Sequence, residues 1–279
     1  MKNILITGVS TGIGYDAVAY FTALGYRIFG SVRKVEDQLR LEKEFPDNVI
    51  TLTFDVTKPE QVENARQQVE EILAGESLLA LVNNAGFAQG GPMALLSDIL
   101  FRQQIEANVF GVRNVTNAFL PLLGASKNFT GQPGKIINIS SISGVFNTPM
   151  NGAYCVSKHA LESMAEVYRR ELRMYGIQVS SIQPGPIQSK LWDKNVDKLD
   201  EYYATDYAIM ARKANRIALA AQRNALPARV ISELIHKIIE HKKPKLTYMV
   251  SKNLWANILL TKFTPKRVVD LILERYLNR

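Results

Sequence analysis

The chain has 279 residues, with 34 Lys and Arg against 26 Asp and Glu, three His and one Cys. That length suits one large α/β domain, and a mixture of 47% hydrophobic and 22% charged residues excludes wholesale disorder. A single Cys excludes a disulfide framework or Cys-rich zinc site, and His159, His236 and His241 form no ligand cluster, so no metal is expected.

In chain order, residues 3–7 read as a buried strand that Gly8 ends. Its apolar run is only three residues long, too short for the core of a signal peptide. Residues 12–24 repeat Ile13, Ala17, Phe21 and Leu24 at helical spacing, and Gly25 closes that helix. Strands follow at 27–32, 49–54, 78–82, 135–140 and 177–183. Helices are expected at 35–45, 59–73, within 97–122, and at 157–175. Strands alternating with helices imply a parallel sheet covered on both faces by right-handed crossovers. After residue 190 a polar, irregular stretch precedes three more helical segments. The uncharged stretches 77–97 and 136–157 contain Asn, Gly, Ser and Pro, so neither suits a bilayer span. A soluble cytoplasmic chain, or one resting on a membrane surface, is expected.

The charge is uneven. Residues 1–189 hold 16 basic and 17 acidic residues, whereas 190–279 hold 18 basic and 9 acidic. No finger, basic zipper or RNA-recognition signature accompanies that excess, so no nucleic-acid partner is expected. Within 242–279 the net charge is +7, and Leu254, Trp255, Ile258, Leu259 and Phe263 recur at helical spacing, as do Val268, Val269, Ile272 and Tyr276. Such basic amphipathic helices suit peripheral contact with an anionic membrane, packing on the protein, or a subunit contact.

Three motifs carry chemistry. Thr7-Gly8-Val9-Ser10-Thr11-Gly12-Ile13-Gly14 lies at the first strand-to-helix turn. Glycines there let the backbone approach a pyrophosphate, and the following helix aims free N–H groups at the anion. The second motif is Asn83-Asn84-Ala85-Gly86. The third is Tyr154-x-x-x-Lys158, whose spacing puts both side chains on one helix face. A tyrosine with a free pKa of about 10 needs a neighbouring cation to serve as an acid or base, and Lys158 supplies one.

The order and separation of these motifs, with Ser141 and Pro184-Gly185, resemble the short-chain dehydrogenase/reductase family over residues 1 to about 190. The resemblance implies a single Rossmann-like, doubly wound parallel sheet over residues 1–279. A substrate lid would occupy 189–223 and a helical extension 224–279. It implies hydride transfer between a carbonyl and an alcohol, with Tyr154 as acid/base, Ser141 holding the substrate oxygen, Lys158 on the nicotinamide ribose, and Asn108 kinking a helix and holding a relay water. Cofactor contacts are implied for Gly8, Ser10, Thr11, Gly12, Ile13, Gly14, Arg33, Asp55, Val56, Asn84, Ala85, Gly86, Tyr154, Lys158, Pro184, Gly185, Ile187 and Ser189. The serine at 189 replaces the family's threonine.

An acid at the end of the second strand would bind the ribose of NAD, but Val32 stands there with Arg33 next. A guanidinium suits a 2′-phosphate, so NADP(H) is expected over NAD(H). The run from Gly152 to Glu162 resembles steroid- and retinol-type members more than sugar-active ones. A hydrophobic carbonyl or alcohol (steroid, retinoid, fatty or aromatic) is therefore expected. Leu191, Trp192, Tyr202, Tyr203, Tyr207, Ile209 and Met210 are available to line its pocket. A homodimer or homotetramer is expected. Two rival readings stand beside this one: a non-catalytic nucleotide-sensing or scaffold protein, and an NAD-linked alcohol dehydrogenase on the same residues.

Overall fold

The computed structural model describes residues 1–188, 197–254, 259 and 264–277. Seven parallel strands form one sheet in the order β3-β2-β1-β4-β5-β6-β7. They are β1 (Asn3–Ile6), β2 (Arg27–Val32), β3 (Val49–Thr53), β4 (Ala80–Asn83), β5 (Lys135–Ile139), β6 (Gln178–Pro184) and β7 (Thr247–Val250). The helices are α1 (Gly12–Ala23), α2 (Val35–Glu44), α3 (Pro59–Leu73), α4 (Asp98–Ile105), α5 (Gly111–Phe119), α6 (Gly152–Glu171), α7 (Ala208–Arg223), α8 (Arg229–Glu240) and α9 (Lys266–Leu277).

Successive residues of a strand face opposite sides of the sheet, and here both sides are buried. Ile4 and Ile6 of β1, Ile28 of β2 and Ile137 of β5 join a core with Ala17 and Phe21 of α1, Leu41 of α2 and Ile231, Ile235 and Ile238 of α8. Leu5, Phe29 and Ile136, the alternate residues, meet Val62 and Val69 of α3, Val115 and Phe119 of α5, and Ala165 of α6. Each fully buried large side chain contributes roughly 1.5–3 kcal/mol. A one-residue slip would exchange the two cores, so the register is strongly specified.

The predicted helix over 97–122 is interrupted. Ser97 caps α4 by accepting from the Leu100 N–H, and Glu106–Phe110 then form a π turn before α5. Helix α6 begins at Gly152 rather than 157, so Tyr154 and Lys158 both lie on it.

β7 was not expected from the sequence. Only four residues long and partly exposed at the sheet edge, it follows a basic, proline-containing lead and gives little strand signal. The connection into it is fastened at Lys135. This buried lysine donates to the carbonyls of Ile238 at 3.1 Å and His241 at 2.7 Å, and to that of Ile239. It thus satisfies the free carbonyls at the end of α8. Beyond β7, α9 leaves Val268, Leu271 and Ile272 exposed. Among the described residues no helix is long and apolar enough to cross a membrane.

Candidate active site

All the parallel strands end at one edge, and the chain reverses its winding between β1 and β4, which opens a crevice there. Gly8 lies at that crevice with φ +70°, and a Cβ on it would come within 2.9 Å of Ala85 Cα. A Cβ on Gly14 would lie 2.3 Å from the Gly8 carbonyl oxygen, so the first turn of α1 can sit on the loop only as glycine. Thr7 fastens the two motifs: its Oγ1 accepts from the N–H groups of Asn84 at 3.0 Å and Ala85 at 2.9 Å. Asn84 Nδ2 returns bonds to the carbonyls of Thr7 and Gly8. Thr11, the residue before α1, makes no side-chain cap bond. The loop therefore offers a close-approach cradle whose helix N–H groups suit a pyrophosphate. These residues fit a dinucleotide.

Ser10 and Thr11 form the crest of this loop, Gly12 and Ile13 open α1, and Arg40 of α2 donates to the Ser10 carbonyl at 2.7 Å. Arg40 also pairs with Asp37 at 3.0 Å and lies over the Tyr15 ring. Sequence reasoning missed it, because one Arg among the charges of α2 carries no motif. Arg33 follows β2, exposed at the same edge. Asp55 accepts from the Thr57 N–H and hydroxyl, and the Val56 carbonyl accepts from Asn114, which fixes that loop after β3. Pro184 ends β6, the Gly185 N–H donates to the Val250 carbonyl at 2.7 Å, and buried Ile187 bridges to Leu226. Ser189, Leu191 and Trp192 lie outside the described residues.

Ser141 follows β5 and begins a short 3-10 turn, Ile142–Gly144; its Oγ accepts from the Ser143 N–H at 3.0 Å. Tyr154 lies on the first turns of α6, beside Ser141. Burial pushes its phenol up to about 12; a hydrogen bond with Ser141 pulls the other way, and the nearby Cys155 adds to the rise. Lys158 is buried, donates from Nζ to the Ile139 carbonyl at 2.8 Å, and holds Nζ 5.7 Å from the centre of the Tyr154 ring. Burial brings Lys158 down to about 8, against a pull upward from Glu162. The site thus holds a desolvated ammonium and a desolvated phenol side by side, each displaced from its ordinary value by burial.

Asn108 sits within the π turn and is buried. Its Nδ2 donates to the Phe87 carbonyl at 2.9 Å and to Ser157 Oγ at 3.0 Å, while Oδ1 accepts from the Phe87 N–H. A Cβ on Gly86 would lie 2.9 Å from that oxygen. Both amide hydrogens of Asn108 are thus committed within the protein. Gln104, four residues earlier, holds the same segment by bonds to Phe87 and Gln89; an isolated glutamine gave no sequence signal. His159 bonds the Cys155 carbonyl within α6.

Just before α6, Met150 joins Leu199, Tyr202 and Ala211 in a small core beside Tyr203, Tyr207 and Met210. Met150, four residues before Tyr154, has φ +64°, and its carbonyl accepts from Gly91. Tyr202 packs tightly on Gly91. Asp206, Tyr207, Ile209 and Met210 line a surface cavity of about 420 Å³. Among the described residues no group of His, Cys, Asp and Glu could hold a metal.

The family model described as short chain dehydrogenase matches residues 2–200. The chain is 37% identical over 279 residues to an NADPH-dependent 3-dehydrocapnine reductase of Ornithobacterium rhinotracheale, covering 100% of this chain and 98% of that one. It is 33% identical over 243 residues to a 3-ketodihydrosphingosine reductase of Bacteroides thetaiotaomicron, covering 86% and 84%. A solved short-chain dehydrogenase from Streptomyces avermitilis shares the fold with TM-score 0.79 at 22% identity, covering 99% of this chain and 95% of that one. The chain belongs to the short-chain dehydrogenase family and is an oxidoreductase of that family.

Proposed function

We propose that this oxidoreductase reduces the ketone of a long-chain lipid to a secondary alcohol with NADPH. The arrangement of Tyr154, Lys158 and Ser141 at the mouth of the glycine cradle carries this reading. Bound NADPH supplies the hydride. Ser141 and Tyr154 hold the carbonyl oxygen between two hydroxyls, and Tyr154 donates the proton as the oxygen gains charge. Lys158 then stabilises the resulting phenolate. Arg33, exposed past β2 where Val32 replaces an acid, supports the choice of NADP(H) over NAD(H). An NADPH-dependent relative of nearly equal length supports it too.

Two relatives named for reducing 3-dehydro and 3-keto compounds support a fatty ketone, and relatives named as estradiol 17-beta-dehydrogenases support a steroid as the alternative. The apolar wall of Met150, Leu199 and Tyr202 supports a lipophilic substrate of any of these kinds. The exposed Val268, Leu271 and Ile272, with Lys266, Arg267 and Arg275 on the same helix, support work at an anionic lipid surface. Exposed Phe110, Val156 and Val167 support a homodimer or homotetramer.

The test is NADPH oxidation with 3-ketodihydrosphingosine, a keto-steroid, retinaldehyde and a small polar ketone, repeated with NADH. The fatty ketone should turn over fastest with NADPH. Preference for the small polar ketone, or for NADH, would overturn the reading.

A further inference from the structure

Helix α6 carries another polar residue in line with Tyr154 and Lys158. Glu162 follows Lys158 by four residues, as Lys158 follows Tyr154, so the three side chains descend one face of the helix. Glu162 Oε1 is buried without a hydrogen-bond partner among the described residues, and so is Ser140 Oγ. Native proteins rarely leave such atoms unsatisfied unless they serve a purpose. Both border one small space: a Cβ on Gly144 would lie 3.0 Å from Glu162 Cγ, 3.0 Å from Ser140 Oγ and 3.0 Å from the Lys158 carbonyl oxygen. Glycine at 144 leaves that space to the carboxylate and the hydroxyl.

We propose that Glu162 is a positioning residue: its carboxylate, one helical turn beyond Lys158 and bordering the same space at Gly144 as the Ser140 hydroxyl, keeps Lys158 protonated behind Tyr154. The other surroundings of Lys158 leave this role to Glu162. β5 and the turn after it bring the Ile139 carbonyl and the hydroxyls of Ser140 and Ser141. The π turn brings Asn108, which bonds Ser157. On α6, the Tyr154 ring lies by the Lys158 ammonium, the Cys155 thiol lies against the Phe146 carbonyl and the Thr148 hydroxyl, and the His159 ring bonds the Cys155 carbonyl. Burial alone would strip the proton from Lys158 more readily, and Glu162 is the charge that opposes it.

The inference rests on Tyr154 and Lys158 moving the proton as proposed above. The experiment is the pH profile of kcat/KM for NADPH-dependent reduction, using whichever ketone of the panel turns over fastest. Glu162→Gln, Glu162→Asp and Tyr154→Phe are compared with the parent. In Glu162→Gln the alkaline limb should move to lower pH by about 0.5 unit or more, with the KM for NADPH within about twofold of the parent. Glu162→Asp should restore most of the shift. If Glu162→Gln does not fold, Glu162→Asp should itself move the limb down by a smaller amount. An unmoved limb in Glu162→Gln, or in Glu162→Asp where only that variant folds, with only a lower melting temperature, overturns the inference and leaves Glu162 as packing. Tyr154→Phe near parental activity would instead overturn the function proposed above.

Discussion

Lys158 holds its ammonium 5.7 Å from the centre of the Tyr154 ring, one turn further along the same helix. The pair is made unequal by burial, which raises the phenol to about 12 and lowers the ammonium to about 8. Tyr154→Phe should therefore lose on the order of 10²- to 10⁴-fold in kcat/KM while NADPH still binds. Steady-state kinetics with fluorescence titration of NADPH measures both, and activity within about tenfold of the parent would refute the assignment.

Two arginines meet the cofactor end differently. Arg33 is exposed past β2, whereas Arg40 holds the Ser10 carbonyl at 2.7 Å. Arg33→Ala should raise the KM for NADPH by about tenfold or more and leave that for NADH nearly unchanged, as loss of a charge-assisted bond requires. Arg40→Leu, which loosens the loop both cofactors share, should raise both by about three- to tenfold. Equal effects of Arg33→Ala on the two cofactors would place its guanidinium away from the 2′-phosphate.

Lys158 also makes stability depend on pH in a defined window. Its folded pKa of about 8 lies below the usual 10.5, so the folded state sheds this proton first and gains stability as pH rises between the two. The penalty for burying the charge is fully present below about 8 and gone above about 10.5. Relative to Lys158→Met, the parent should gain about 2 kcal/mol between pH 7 and 9.5. Urea unfolding of both proteins at the two pH values measures it, and a flat difference would show that Lys158 is not desolvated.

Lys135→Met should destabilise the fold by about 2 kcal/mol, because it leaves the carbonyls of Ile238, Ile239 and His241 without their donor. Thermal melting reports the loss, and hydrogen exchange should localise it to α8 and β7. Uniform exchange across the sheet would mean that the lysine is not what fastens this end.

Vesicle co-sedimentation tests the face of α9. The parent should pellet with anionic vesicles at low salt and much less at high salt, since each basic residue near the surface contributes about 1 kcal/mol. A Lys266→Glu, Arg267→Glu double variant should stay in the supernatant. Salt-insensitive behaviour, or pelleting with the double variant, would point to another use for the exposed Leu271 and Ile272.

Much of the sheet was legible in the sequence, because β-rich runs such as 3–7 and 27–32 alternate with helical spacing. The π turn at Asn108 was legible only as the kink that the family resemblance implies, and the strand β7 was not legible at all. The first needs a bond from Asn108 to Ser157, 49 residues away, and the second is decided by pairing to β6. Within the candidate site, the glycines and Tyr154-x-x-x-Lys158 stand out as local spacings. Arg40, Gln104 and Glu162 do not, because their roles depend on which buried atom they meet in space. Of the segment 189–223 expected as a lid, Asp197–Ala204 form a 3-10 turn and Ala208–Arg223 form α7, while Ser189, Leu191 and Trp192 fall outside the described residues.

The edge strand β7 gives the chain a natural seam. Gly185, at the cofactor end of β6, bonds Val250, and the sheet closes there with only a turn before Leu254. β7 is paired to β6 in the body that holds the site, and beyond it α9 comes back against α7. Because α9 leans on α7, a change in the portion beyond Ser251 is expected to reach the small core of Met150, Leu199, Tyr202 and Ala211 that α7 helps to build.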